Sequence, residues 1–88
     1  MLNETDIEVQ ILIGQRIKQL REENETSQEK LAFEANLSVS QISKMERGKL
    51  NTSIVALSLI CKAFNITLKE FFSEINHPLP RKKAPKKK

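Results

Sequence analysis

Cysteine is almost absent from this chain: the 88 residues contain one, Cys61, together with one histidine, His77. A single thiol closes no internal disulfide, and one Cys with one His cannot supply the four ligands of a structural zinc site. The expectation is a reduced, cytoplasmic domain without metal or cofactor. Trp and Tyr are missing and Phe occurs four times, which argues against aromatic platforms for stacking single-stranded nucleic acid. Two Gly and three Pro leave little punctuation for strands and turns. No apolar run approaches the roughly 18 residues of a membrane span, and the opening MLNETDIE is acidic where a signal peptide would be basic. The length suits one domain with a tail and excludes large catalytic folds. With no Ser/His/Asp set, phosphate-cradling glycine loop or paired pocket carboxylates in view, an enzyme is not expected.

What charge there is lies unevenly. Fifteen Lys and Arg against eleven Asp and Glu give a formal +4, but residues 81–88, RKKAPKKK, hold six of those cations and no acid. The rest of the chain is therefore slightly acidic. Residues 1–34 carry four basic and eight acidic groups, whereas residues 35–80 carry five and three. A polyanion would thus be met by the later half, with the acidic first helix turned partly away.

The chain reads as five helices. Thr5 and Glu8 fit a capping box that starts the first, and Ile13, Ile17 and Leu20 recur on one face until about Glu23. Gly14 within it suggests either close packing against another backbone or a break after an N-terminal extension, residues 1–10. Ser27 caps a second helix ending near Ala35, with Asn36 as its left-handed stop. Ser38 and Gln41 form another box, opening a third helix from Val39 to Arg47 that Gly48 ends. The turn Asn36-Leu37-Ser38 is so short that helices 2 and 3 must cross steeply, the helix-turn-helix arrangement. Asn51 or Thr52 caps a fourth helix with Ile54, Leu57, Ile60, Cys61 and Phe64 on its core arc, Cys61 being a small buried hydrophobe. Thr67 starts a fifth, with Leu68, Phe71 and Phe72 at inward-capable positions, and the pattern ends at His77-Pro78.

On helix 3, Val39, Ser40, Ser43, Lys44 and Arg47 fall within an arc of roughly 140°, while Ile42 and Met45 point the other way as anchors. The outer face is small, polar and basic, dimensions and chemistry that suit the DNA major groove. Glu46 sits at the edge of the apolar arc, where an unpaired carboxylate would be costly.

Taken together, Ile17, Leu20, Arg21, Ser27-Gln28-Glu29-Lys30-Leu31-Ala32, Leu37-Ser38, Ile42-Ser43, Glu46-Arg47-Gly48, Asn51 and Leu68 resemble the lambda-repressor-like, or Cro/cI-type, helix-turn-helix family. The resemblance spans roughly residues 11–74. It departs from the family at Asn36, where Gly is usual, and at Val39 and Thr52, which replace a polar residue and Pro. It implies an all-α, five-helix fold with helix 3 in the major groove and helix 2 across the backbone. By position, Val39, Ser40, Ser43 and Lys44 would face base edges, Lys44 suiting guanine and Val39 a thymine methyl. Gln28, Gln41, Arg47 and Asn51 would contact phosphates, and Arg21 would pair with Glu46 to orient helix 3 on helix 1.

These features frame a domain over residues 11–76 and a basic, disordered tail over 77–88, in which His77 lacks any partner for metal or proton chemistry. The resemblance implies a sequence-specific regulator of transcription bound to double-stranded DNA at the nucleoid. Val55 and Leu59 lie off the core arc of helix 4 and, with Ile66, Phe72 and Ile75, suggest a twofold homodimer through helices 4 and 5. The same apolar groups suit a rival reading, an antitoxin-like module whose main partner is a toxin. A weaker third reading, nonspecific coating of nucleic acid, rests on the tail alone.

Overall fold

Capping groups and apolar stripes partition the chain into helices, and the computed structural model, which describes residues 4–75, contains five of them. They are α1 (Glu4–Glu23), α2 (Gln28–Ala35), α3 (Val39–Glu46), α4 (Ile54–Phe64) and α5 (Leu68–Ser73). The proposed tail and His77 lie outside the described residues. Four helix starts share one device, a hydroxyl side chain that accepts a backbone N–H three residues on. Ser27 accepts from Lys30 N, Ser38 from Gln41 N, Ser53 from Ala56 N and Thr67 from Glu70 N, each at 3.0 Å. Each such cap contributes about 1 kcal/mol. Gln41 and Glu70 complete reciprocal boxes by accepting from the Ser38 and Thr67 backbones.

Some boundaries differ from the sequence reading. Helix α1 is already formed at Glu4, one residue before the cap expected at Thr5, and runs without interruption through Gly14. The fourth helix is capped by Ser53 and not by Asn51 or Thr52. All three are capable caps in a row, and only the path of the loop from α3 selects among them. Arg47 is the C-cap of α3, one residue past its helical end. Asn36 and Asn65, both at φ 59°, make the left-handed stops after α2 and α4.

Ile17, Leu31, Ile42, Met45, Leu57, Ile60 and Phe71 are fully buried and form the core, with contributions from all five helices. Neither α2 nor α3 exceeds eight residues, short of the length at which a helix is stable alone, so burial of their apolar faces holds them in place. At roughly 2 kcal/mol per buried aliphatic side chain, Ile42 and Met45 outweigh the intrinsic helix preference of α3.

Gly14 explains how closely α1 and α3 approach. A Cβ there would collide with the Met45 carbonyl oxygen and lie 2.9 Å from that of Glu46. Of the two readings of Gly14, close backbone packing is the one observed. Ile54, expected on the core arc of α4, is instead 64% exposed. Helical angle fixes direction around an axis but not whether a neighbouring helix extends far enough to cover that turn. Leu59 errs the other way: it is half-buried and packs against the core.

Candidate nucleic-acid interface

The turn between α2 and α3 is closed by backbone hydrogen bonds on the α2 side and by the Ser38–Gln41 box on the α3 side. Leu37 N donates to Ala32 O at 2.9 Å and Asn36 N to Phe33 O at 3.3 Å, closing α2 while Ser38 opens α3. Buried Leu31, Ala32 and Ala35 set α2 against the core, and buried Ile42 and Met45 do the same for α3. The opposite side of α3 faces water: Val39, Ser40, Lys44 and Arg47 are exposed and Ser43 is half-buried. Arg47 Nε donates to Ser43 O at 3.3 Å, so its guanidinium folds back along α3 with its remaining donors outward. Gln41 is exposed, its Oε1 engaged by the Ser38 backbone and its amide donors available. Asn51 is exposed in the loop before α4.

Behind this face lies a polar cluster. Arg21 and Glu46 form a two-pronged ion pair: Nε to Oε2 at 2.6 Å and Nη2 to Oε1 at 3.0 Å. Arg21 Nη1 also donates to Thr26 O at 3.1 Å, tying the end of α1 to the turn before α2. Hydrogen bonding to Glu46 is the main cause of a raised Arg21 pKa, against the opposing effect of burial. Gln28 belongs to the same cluster, its Nε2 donating to Glu46 Oε1 at 3.0 Å. The sequence reading made Gln28 a phosphate contact alone; its side chain lies against Glu46, leaving one amide proton for anything further. One carboxylate thus joins α1, α2 and α3.

Two further contacts were not read from the sequence. Gln10 Nε2 donates to Gly48 O at 3.2 Å, fastening the early part of α1 to the stop of α3. Gly48, at φ 70°, lies so close to Ile11 that a Cβ would sit 2.8 Å from its side chain. Nothing in local spacing couples residues this far apart. Of the residues expected at a dimer surface, Val55 is 69% exposed, Phe72 is exposed, and Leu59, Ile66 and Ile75 are half-buried against the core. Among the described residues no cluster of His, Cys, Asp and Glu could hold a metal ion, and no helix is long and apolar enough to cross a membrane.

Two short helices joined by a tight turn, with the second presenting a polar and basic face, define a helix-turn-helix domain. The helix-turn-helix family model matches residues 17–71, and the chain belongs to that family. It is 39% identical over 69 residues to the control protein C.MunI of Mycoplasma sp, covering 77% of this chain and 93% of that protein. With the control protein C.BamHI of Bacillus amyloliquefaciens it shares 40% identity over 63 residues, covering 70% and 78% of the two chains. The crystal structure of the restriction-modification controller protein C.AhdI from Aeromonas hydrophila matches with a TM-score of 0.70 at 36% identity, over 73% of this chain and 97% of that one.

Proposed function

We propose that this protein is a sequence-specific transcriptional regulator of the controller type, which inserts α3 into the major groove of double-stranded DNA. The observation that carries this reading is the division of α3 into a fully buried side, Ile42 and Met45, and an outward side of Val39, Ser40, Ser43 and Lys44. An α-helix fits the groove, and base edges there offer acceptors to Lys44 and thymine methyl groups to Val39. Gln41, Arg47 and Asn51 flank that side and contact phosphates, which position the domain without reading sequence. Gln28 joins them through its second amide proton, at the N-terminus of α2.

Two copies related by a twofold axis bind together, through Val55 and Leu59 of α4 and Ile66, Phe72 and Ile75. Such a dimer sets two recognition helices about 34 Å apart, on half-sites one helical turn from each other. The site of action is the DNA of the cytoplasm. Likeness to control proteins over most of their length supports the controller-type reading. Selection of bound duplexes from a random library at near-physiological salt tests the reading. The expected result is a pseudo-palindromic motif with that half-site spacing; failure to enrich any motif overturns it.

A further inference from the structure

Arg16 is 8% exposed, and what meets its guanidinium is mainly the end of another helix. Nε donates to Phe71 O at 2.9 Å, Nη2 to Glu70 O at 3.3 Å and Nη1 to Gln19 Oε1 at 2.9 Å. The guanidinium carbon lies 5.7 Å from the centre of the Phe71 ring. Helix α5 has six residues, too few to persist unaided, and carbonyls at its C-terminal end lack the full set of backbone partners, Glu70 O accepting also from Ser73 Oγ at 2.9 Å. A cation satisfies those oxygens and is attracted to the negative end of the helix. Arg16 therefore fastens the C-terminal end of α5 to α1.

The fastening lies beside an apolar groove of about 210 Å³ whose walls are Val9, Leu12 and Ile13 from α1 and Phe72 and Ile75 from the end of α5. Phe72 stands edge-on to Phe71, the rings 5.2 Å apart and 80° inclined. The carbonyl that Arg16 holds belongs to Phe71, the residue before Phe72, so that hydrogen bond, together with the burial of Phe71, ties the α5 wall of the groove to α1. We propose that Arg16 is a positioning residue for self-association, setting the spacing of α1 and α5 so that a second copy of this chain seats on the groove. The inference rests on the homodimer reading above. Phe72 and Ile75 belong to the surface assigned to that dimer, and the groove continues it onto α1. A twofold contact places one patch against itself, so the patch must be self-complementary; Phe72, exposed at the wall of the groove, offers an apolar group to the groove of a second copy.

The test is sedimentation equilibrium on the full chain and three variants, at a temperature where circular dichroism shows each to be folded. Arg16→Met removes the donors and keeps an apolar stem, Arg16→Lys keeps a cation without the fork, and Leu31→Val trims the core away from α5. Arg16→Met is expected to weaken self-association by about tenfold or more, Arg16→Lys by less and Leu31→Val by under about twofold. A monomeric wild type overturns the dimer reading and this proposal with it. A dimeric wild type with Arg16→Met no weaker than Leu31→Val overturns the role of Arg16 alone. Failure of both Arg16 variants to fold assigns the residue to the whole fold and overturns it as well.

Discussion

Arg21 and Glu46 meet across 25 residues of sequence, with Arg21 Nε 2.6 Å from Glu46 Oε2 and Nη2 3.0 Å from Oε1. The Glu46 side chain is 5% exposed, so the pair is desolvated at its acidic end. Because Gln28 shares the carboxylate, the cluster fixes how α3 sits on the two helices behind it.

Removing Glu46 leaves Arg21 and Gln28 without their acceptor. We expect Glu46→Ala to lower stability by about 3 kcal/mol, the cost of breaking a largely buried pair. Binding measured well below the melting temperature should fall less than stability does. Denaturant titration beside a DNA-binding assay decides; equal loss of binding with unchanged stability would contradict the structural role.

Gly14→Ala should destabilise the protein even though Ala is the better helix former by about 1 kcal/mol. The added carbon would strike the carbonyls of Met45 and Glu46, and backbone oxygens on the packed side of a helix cannot move aside cheaply. A net loss of about 2 kcal/mol is expected, with weaker DNA binding because α3 is pushed outward. A rise in melting temperature would show that the two helices separate freely.

Lys44 and Arg47 should differ in kind. Lys44→Ala is expected to cost about 1–3 kcal/mol on the preferred duplex and to relax preference at one base position in each half-site. Arg47→Ala should weaken all duplexes alike and reduce the slope of log affinity against log salt by about 1. Swapped behaviour in a salt series on two duplexes would exchange their roles.

Val55, 69% exposed on α4, is assigned to the surface between copies. Val55→Glu should leave melting of the monomer within about 0.5 kcal/mol, as for other surface substitutions, while placing like charges face to face in a dimer. Ultracentrifugation is expected to show dissociation, and binding to a single half-site should change little.

Cys61 is buried, and burial pushes its thiol pKa up, opposed by the nearby charge of Arg16. A thiol harder to ionise in the folded chain stabilises it fully below the ordinary value of 9.0 and loses that contribution as pH rises above it. Stability should therefore decline more steeply above that pH in the wild type than in Cys61→Ala. Parallel pH profiles for the two would remove Cys61 as the cause.

Ser27 and Ser38 were legible as caps, Thr67 as a helix start and Asn36 as a left-handed stop, because each acts on backbone within about four residues. The outward side of α3 was legible for a similar reason: once Ile42 and Met45 are buried, helical geometry leaves Val39, Ser40 and Lys44 in water. Ser53 was missed because three consecutive residues can cap a helix and the loop's path chooses one. Ile54 was misplaced because periodicity has no information about where the covering helices end.

Local chemistry in the chain thus determined the helices, their order, the tight turn and the polarity of the outer face of α3. Tertiary structure alone decided that Gly14 lies on the carbonyls of α3, that Gln28 turns to Glu46, and that Arg16 closes α5 across 55 residues. Caps and stripes are written in neighbours a turn apart. Contacts between helices depend on how separate apolar faces pack, and their partners are fixed only when all five helices are in place.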